Sequence, residues 1–136
     1  MKVKFFLLQI LFLASIALYA QDETKPFKPS KGMKNLSSLK KKRIELKVGQ
    51  KAYVQYKQHG SVGIYGEVSS SDEAVLKKVD THTAFKNKQE PGMTGADESV
   101  VTVIFEAVGK GKSQVKISNM FRGQTEKEAE ISVIVK

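Results

Sequence analysis

Alternation of apolar and polar residues with a period of two is the dominant pattern of this sequence from Ile44 onwards. In IELKV (44–48) the apolar residues share one side of an extended chain, and AEISVIV (129–135) repeats the pattern. No window of about ten residues after position 43 has the spacing of an amphipathic helix. The pattern therefore predicts an all-β domain over residues 44–136.

Short apolar segments separated by turn-forming residues indicate about seven strands. This number of strands in roughly 93 residues is typical of a single antiparallel immunoglobulin-like β-sandwich, with a small OB-type β-barrel as the alternative. The predicted strands are 44–48, 51–57, 64–68, 74–80, 100–107, 113–118 and 129–135. The residues expected to fill the space between the sheets are Leu46, Val54, Val103, Phe105, Ile117 and Val133. In the predicted strand 74–80, the residues expected to be buried are Val75, Leu76 and Val79.

The first twenty residues have the features of a secretory signal peptide. Lys2 and Lys4 precede an apolar run over 5–18, and a small residue, Ala20, ends the segment. The run is shorter than the ~20 residues that a membrane span needs. We therefore expect cleavage near Ala20 and a secreted or periplasmic protein with no stable membrane span, a retained anchor being the alternative.

Positive charge is concentrated in the segment that follows. The formal net charge is +9, but residues 22–43 hold eight basic and two acidic residues, whereas 44–136 hold 13 basic and 12 acidic ones. Two prolines and the lack of periodicity predict that 21–43 is a basic flexible linker. No series of aromatic residues accompanies these lysines, since Phe27 stands alone among them, and this argues against a nucleic-acid partner. We expect deletion of the linker to change stability by no more than ~1 kcal/mol.

Few residues offer catalytic or metal chemistry. The chain has no cysteine and two histidines, and no nucleophile-elbow motif surrounds Ser61. His59 and His82 lie in separate segments without spaced carboxylate partners, so we interpret both as exposed loop residues. The sequence therefore predicts a protein that is not an enzyme and that uses no metal or cofactor.

Three glycines lie within HGSVGIYG (59–66), directly after a predicted strand. Their spacing matches neither the dinucleotide-binding fingerprint nor a phosphate-binding loop, and no predicted helix follows. Two interpretations remain: a wide turn in which glycine supplies positive φ, or a loop presented to a partner.

The order of loops resembles that of the chagasin-type inhibitors of papain-like cysteine proteases. The matching stretches are HGSVGIYG (59–66), the second loop and hairpin over 92–117, and the third loop and last strand over 119–136, with FEAVG (105–109) similar to that family's core strand and turn. Of the family's first-loop motif, Asn-Pro-Thr-Thr-Gly, this sequence plainly keeps only the glycine.

What this resemblance implies is a monomeric immunoglobulin-like inhibitor whose three loops form a wedge in the catalytic cleft of a peptidase. Side chains at Gly60 or Gly63 would then hold the central loop away from the protease nucleophile. The implied contact residues are Ser61, Val62 and Gly63 at the nucleophile, Gly92, Met93, Thr94 and Gly95 on one side, and Phe121, Arg122 and Gly123 on the other.

A bacterial immunoglobulin-like surface or adhesion module without inhibitory activity is the alternative function. The short motifs VGQ (48–50), SSD (70–72) and AVGKG (107–111) fit the strand and turn pattern of such modules.

Overall fold

The computed structural model describes residues 22–37 and 43–136, so the predicted signal peptide and its cleavage site lie outside the described residues. Within the described ranges, no helix is long and apolar enough to cross a membrane. The secondary structure consists of one 3₁₀ turn, Gly60–Val62, and the strands β1 (Lys34–Asn35), β2 (Arg43–Leu46), β3 (Lys51–Gln58), β4 (Ile64–Ser70), β5 (Leu76–Phe85), β6 (Ser99–Ala107), β7 (Gly111–Phe121) and β8 (Gln124–Val135).

The strands form two four-stranded sheets. Sheet A has the order β1-β3-β6-β5, and sheet B has the order β2-β8-β7-β4. The predicted immunoglobulin-like sandwich is confirmed, and the barrel alternative is wrong because the two sheets remain separate. Both sheets are mixed: β1 runs parallel to β3 and β2 runs parallel to β8, while the other pairs are antiparallel. β1 and β2, which are consecutive in sequence, lie at the edges of different sheets.

The core lies between the sheets, and eight of the nine residues predicted to be buried are buried. These eight are at most 8% exposed, and Phe105 is the largest fully buried side chain. The prediction for Val79 is wrong, since its side chain is 40% exposed. The pairing of β5 with β6 shifts between Lys78 and Asp80, and a bulge of this kind turns the extra residue away from the core.

The segment that we expected to be a flexible linker contributes to the fold. We call residues 22–37 the N-terminal arm. Its strand β1 pairs with β3, the Leu36 amide donates a hydrogen bond of 2.8 Å to the Tyr53 carbonyl, and the Leu36 side chain is fully buried. The ring of Phe27 lies 5.3 Å from that of Tyr53. The sequence does not predict this packing, because the apolar residues of the arm are isolated in a polar, proline-containing segment and show no periodicity.

Two connections are shorter than the sequence predicts. β5 continues to Phe85, so the irregular segment that follows is 86–98. The segment 119–128, which separates the predicted strands 113–118 and 129–135, is a hairpin in which Phe121 pairs with Gln124. Only Arg122 and Gly123 form the turn between them, and both have positive φ, 48° and 80°. Such two-residue turns match the twist of the flanking strands, which can therefore pair up to the turn.

Candidate functional site

Three connections meet at one end of the sandwich. Loop 1 (59–63) joins β3 to β4, loop 2 (86–98) joins β5 to β6, and loop 3 (Arg122–Gly123) joins β7 to β8. The predicted contact residues lie in or beside these loops, and all except Gly63, which is half-buried, are exposed: Ser61, Val62, Gly63, Gly92, Met93, Thr94, Gly95, Phe121, Arg122 and Gly123.

Loop 1 is a single tight turn closed by its own backbone. His59 and Ile64 face each other as an isolated bridge pair, and the Val62 amide donates a hydrogen bond of 3.1 Å to the His59 carbonyl. Gly63 ends the turn with φ of +83°, in the left-handed region that glycine adopts without steric cost. This geometry leaves Val62 at the tip with 42% of its surface exposed.

Asp97 connects loop 2 to loop 1 through its carboxylate. Its Oδ2 accepts a hydrogen bond of 2.9 Å from the Ser61 amide, and its Oδ1 accepts one of 2.5 Å from the Ser61 hydroxyl. His59 Nε2 lies 3.3 Å from Asp97 Oδ1 and 3.1 Å from the Gly95 carbonyl oxygen. The hydrogen bonds from the Ser61 hydroxyl and amide, with a smaller effect of His59, hold the pKa of the Asp97 carboxyl below its usual value.

Loop 3 contacts the opposite side of loop 1. The Arg122 amide donates a hydrogen bond of 2.8 Å to the Gly63 carbonyl, and β4 pairs with β7 up to Ile64 and Phe121. The Arg122 guanidinium lies 5.0 Å from the centre of the Phe121 ring, within the range of a cation–π interaction. Loop 1 is therefore held between loops 2 and 3.

The part of loop 2 around Gly92 and Met93 projects into solvent. The Met93 amide bonds to the Glu90 carbonyl at 3.3 Å, and Gly92 has φ of +84°, which with Pro91 before it fits a type II turn. Side chains added at Gly92 or Gly95 would meet no atom within 4 Å. Met93 is 47% exposed at this projecting end.

The glycines of loop 1 allow contacts between loops. A Cβ at Gly60 would lie 3.2 Å from Asp97 Oδ2, and a Cβ at Gly63 would lie 3.0 Å from Arg122 Cγ. Both glycines therefore face neighbouring loops. A bulky residue at Gly63 would disturb the fold, since the positive φ and the contact with Arg122 both strain any substitution there.

The serine, histidine and carboxylate of this site are not arranged as a catalytic relay. The Ser61 hydroxyl and His59 Nε2 both contact Asp97, so the carboxylate lies between them, whereas a serine nucleophile needs the histidine in that place. Among residues 22–37 and 43–136, no group of three or more histidine, cysteine or acidic side chains could hold a metal ion. The contacts of Ser61 and His59 with Asp97 instead stabilise the conformation of loop 1.

Asp97 is the residue that sequence reasoning missed. It lies in the stretch 92–117 but was not among the predicted contact residues, and its partner Ser61 is 36 positions away, so no local pattern identifies the pair. His59 was interpreted as an exposed loop residue, but its side chain is only 23% exposed and faces Asp97.

No protein-family model matches the sequence, and no curated protein matches it. Among solved structures, the cysteine protease inhibitor from Entamoeba histolytica aligns with a TM-score of 0.61 at 10% identity, covering 80% of this chain and 100% of that chain. The chain shares the fold of that inhibitor. Amebosin aligns with a TM-score of 0.53 at 12% identity, covering 79% of this chain and 100% of its own. At these identities the likeness establishes the fold, and the fold implied by the chagasin-type resemblance is confirmed.

Proposed function

We propose that this chain is a secreted protein inhibitor of a papain-like cysteine protease and that it inserts its loops non-covalently into the catalytic cleft. The observation that carries the proposal is the convergence of the three predicted loops at one end of the sandwich, with loop 1 held between the other two. The likeness of the fold to the cysteine protease inhibitor from Entamoeba histolytica supports it.

Loop 1 has the shape that insertion requires. It is short, it places the exposed Val62 between Ser61 and Gly63, and hydrogen bonds hold it on both sides. A loop already held in its bound shape loses little conformational entropy on association, so more of the contact energy appears as affinity. In this proposal Ser61, Val62 and Gly63 lie at the protease nucleophile.

Loops 2 and 3 would grip the two sides of the cleft. Met93 and Phe121 expose 47% and 37% of their surfaces. Burying this exposed area in the complex would contribute roughly 1–2 kcal/mol for each side chain. The flanking contacts proposed here are Gly92, Met93, Thr94 and Gly95 on one side and Phe121, Arg122 and Gly123 on the other.

The remaining parts of the proposal concern how the protein acts. It binds its target and catalyses no reaction, and it needs no cofactor. It works as a monomer outside the cytoplasm, in the secreted or periplasmic space, after cleavage near Ala20. The sequence features of residues 1–20 support the proposal of secretion.

The test is a panel of papain-like and related secreted cysteine proteases assayed with purified residues 21–136. We expect reversible inhibition of at least one protease, with the inhibitor recovered uncleaved. Absence of inhibition across the panel would contradict the proposal and favour an immunoglobulin-like binding module without inhibitory activity.

Two matched valine variants then locate the binding surface. Val62→Asp puts a charge at the apolar tip of loop 1, and we expect the inhibition constant to rise at least about tenfold, which corresponds to ~1.4 kcal/mol. Val48→Asp is the control, because Val48 is 50% exposed and follows β2 at the other end of the sandwich. Equal losses in the two variants would show that loop 1 is not the inserted element.

A further inference from the structure

We propose that Asp97 is a positioning residue that fastens loop 1 to loop 2 and thereby sets the shape of the inhibitory wedge. This inference rests on the proposed function, because the wedge is the surface that would enter the protease. Asp97 itself need not touch the protease: the Ser61 amide and hydroxyl both point to its carboxylate.

The contact is specific because one side chain satisfies several donors. Both carboxylate oxygens of Asp97 accept from Ser61, and His59 Nε2 lies within 3.3 Å of Oδ1. Hydrogen bonds to an ionised acceptor are about twice as strong as neutral ones. The Ser61 amide belongs to the 3₁₀ turn, so Asp97 satisfies a backbone donor at the centre of loop 1.

The two sides of loop 1 are held in different ways. On the loop 3 side, the Arg122 amide bonds to the Gly63 carbonyl, and this backbone contact is continuous with the pairing of β4 and β7. On the loop 2 side, the described hydrogen bonds from Ser61 all end on the Asp97 side chain. A substitution at Asp97 would therefore release Ser61 from loop 2 while leaving the sheets unchanged, and the contact of His59 Nε2 with the Gly95 carbonyl oxygen would remain on that side.

Loss of the Asp97 contacts would change the conformation of loop 1 and not the stability of the whole domain. The Asp97 side chain is 36% exposed, and exposed charged contacts contribute little to global stability. A loop that samples several shapes, however, must be ordered again when it binds, which lowers affinity. We therefore expect Asp97→Ala to weaken binding without a matching loss of thermal stability.

The first measurement is amide hydrogen exchange of Ser61 in the purified chain, which needs no protease. We expect exchange at least about tenfold faster in Asp97→Ala, an intermediate rate in Asp97→Asn, which keeps one acceptor oxygen, and no change in Glu45→Ala. Glu45 is the matched control, since it is an exposed carboxylate paired with Lys136 near the opposite end of the sandwich. Unchanged Ser61 exchange in Asp97→Ala would overturn the inference.

The second measurement uses a protease that the wild type inhibits. Asp97→Ala should raise the inhibition constant at least about fivefold with a thermal midpoint within about 2 °C of wild type, whereas Glu45→Ala should leave both unchanged. An unchanged inhibition constant in Asp97→Ala would refute the role of Asp97 in setting the shape of the wedge. If the wild type inhibits no protease, the proposed function fails, and the exchange experiment still decides whether Asp97 fastens the two loops.

Discussion

Replacing Leu36 by alanine tests whether the N-terminal arm belongs to the folded domain. The Leu36 side chain is fully buried in the core cluster, and the strand before it pairs with β3. Buried leucine-to-alanine changes cost ~2–5 kcal/mol, as lost transfer energy and as a cavity. We expect ~2–3 kcal/mol, because the arm is joined to β3 through the two pairs of β1 and can move partly into the cavity. A flexible linker would give no more than ~1 kcal/mol.

Urea unfolding and thermal melting of residues 21–136 measure this effect. Tyr53, Tyr56 and Tyr65, the three tyrosines of residues 21–136, provide the fluorescence signal, since the chain contains no tryptophan. For a domain of about 110 residues, a shift of roughly 4 °C per kcal/mol predicts a midpoint ~8–12 °C lower. Val48→Ala is the control: this valine is 50% exposed, and we expect a change within ~0.5 kcal/mol. Indistinguishable midpoints for the two variants would refute the docking of the arm.

Two further predictions concern Gly66 and Asp97. A Cβ at Gly66 would lie within 2.6 Å of Tyr56 Cγ, so Gly66→Ala should lower the free energy of unfolding in urea by ~1–3 kcal/mol through overpacking. The loss should be clearly smaller in a Tyr56→Ala background, and additive losses would contradict this explanation. Because hydrogen bonds from Ser61 lower the Asp97 pKa below 3.8, their contribution is present above that pH and is lost as the pH falls through the folded pKa. A carboxyl-carbon NMR titration should therefore give a midpoint below 3.8 that rises in Ser61→Ala, and an equal midpoint in both proteins would count against the contact.

The sequence by itself determined the fold class, most of the core and the order of the loops along the chain. A strand with one face against a core must alternate apolar and polar residues, and β8 does so visibly. Phe105 was identified because it lies in a run of β-branched and aromatic residues. These signals are local, since each needs only the residues within a few positions of it.

Tertiary structure alone decided what the loops and the arm contact. Leu36 is buried because β3 supplies a partner for the strand before it, and no period in residues 22–37 indicates that partner. Asp97 meets Ser61 across 36 positions because β3 and β6 pair antiparallel, which places the end of one strand beside the start of the other. Such contacts depend on the register between distant segments, and the residues of either segment alone do not encode that register.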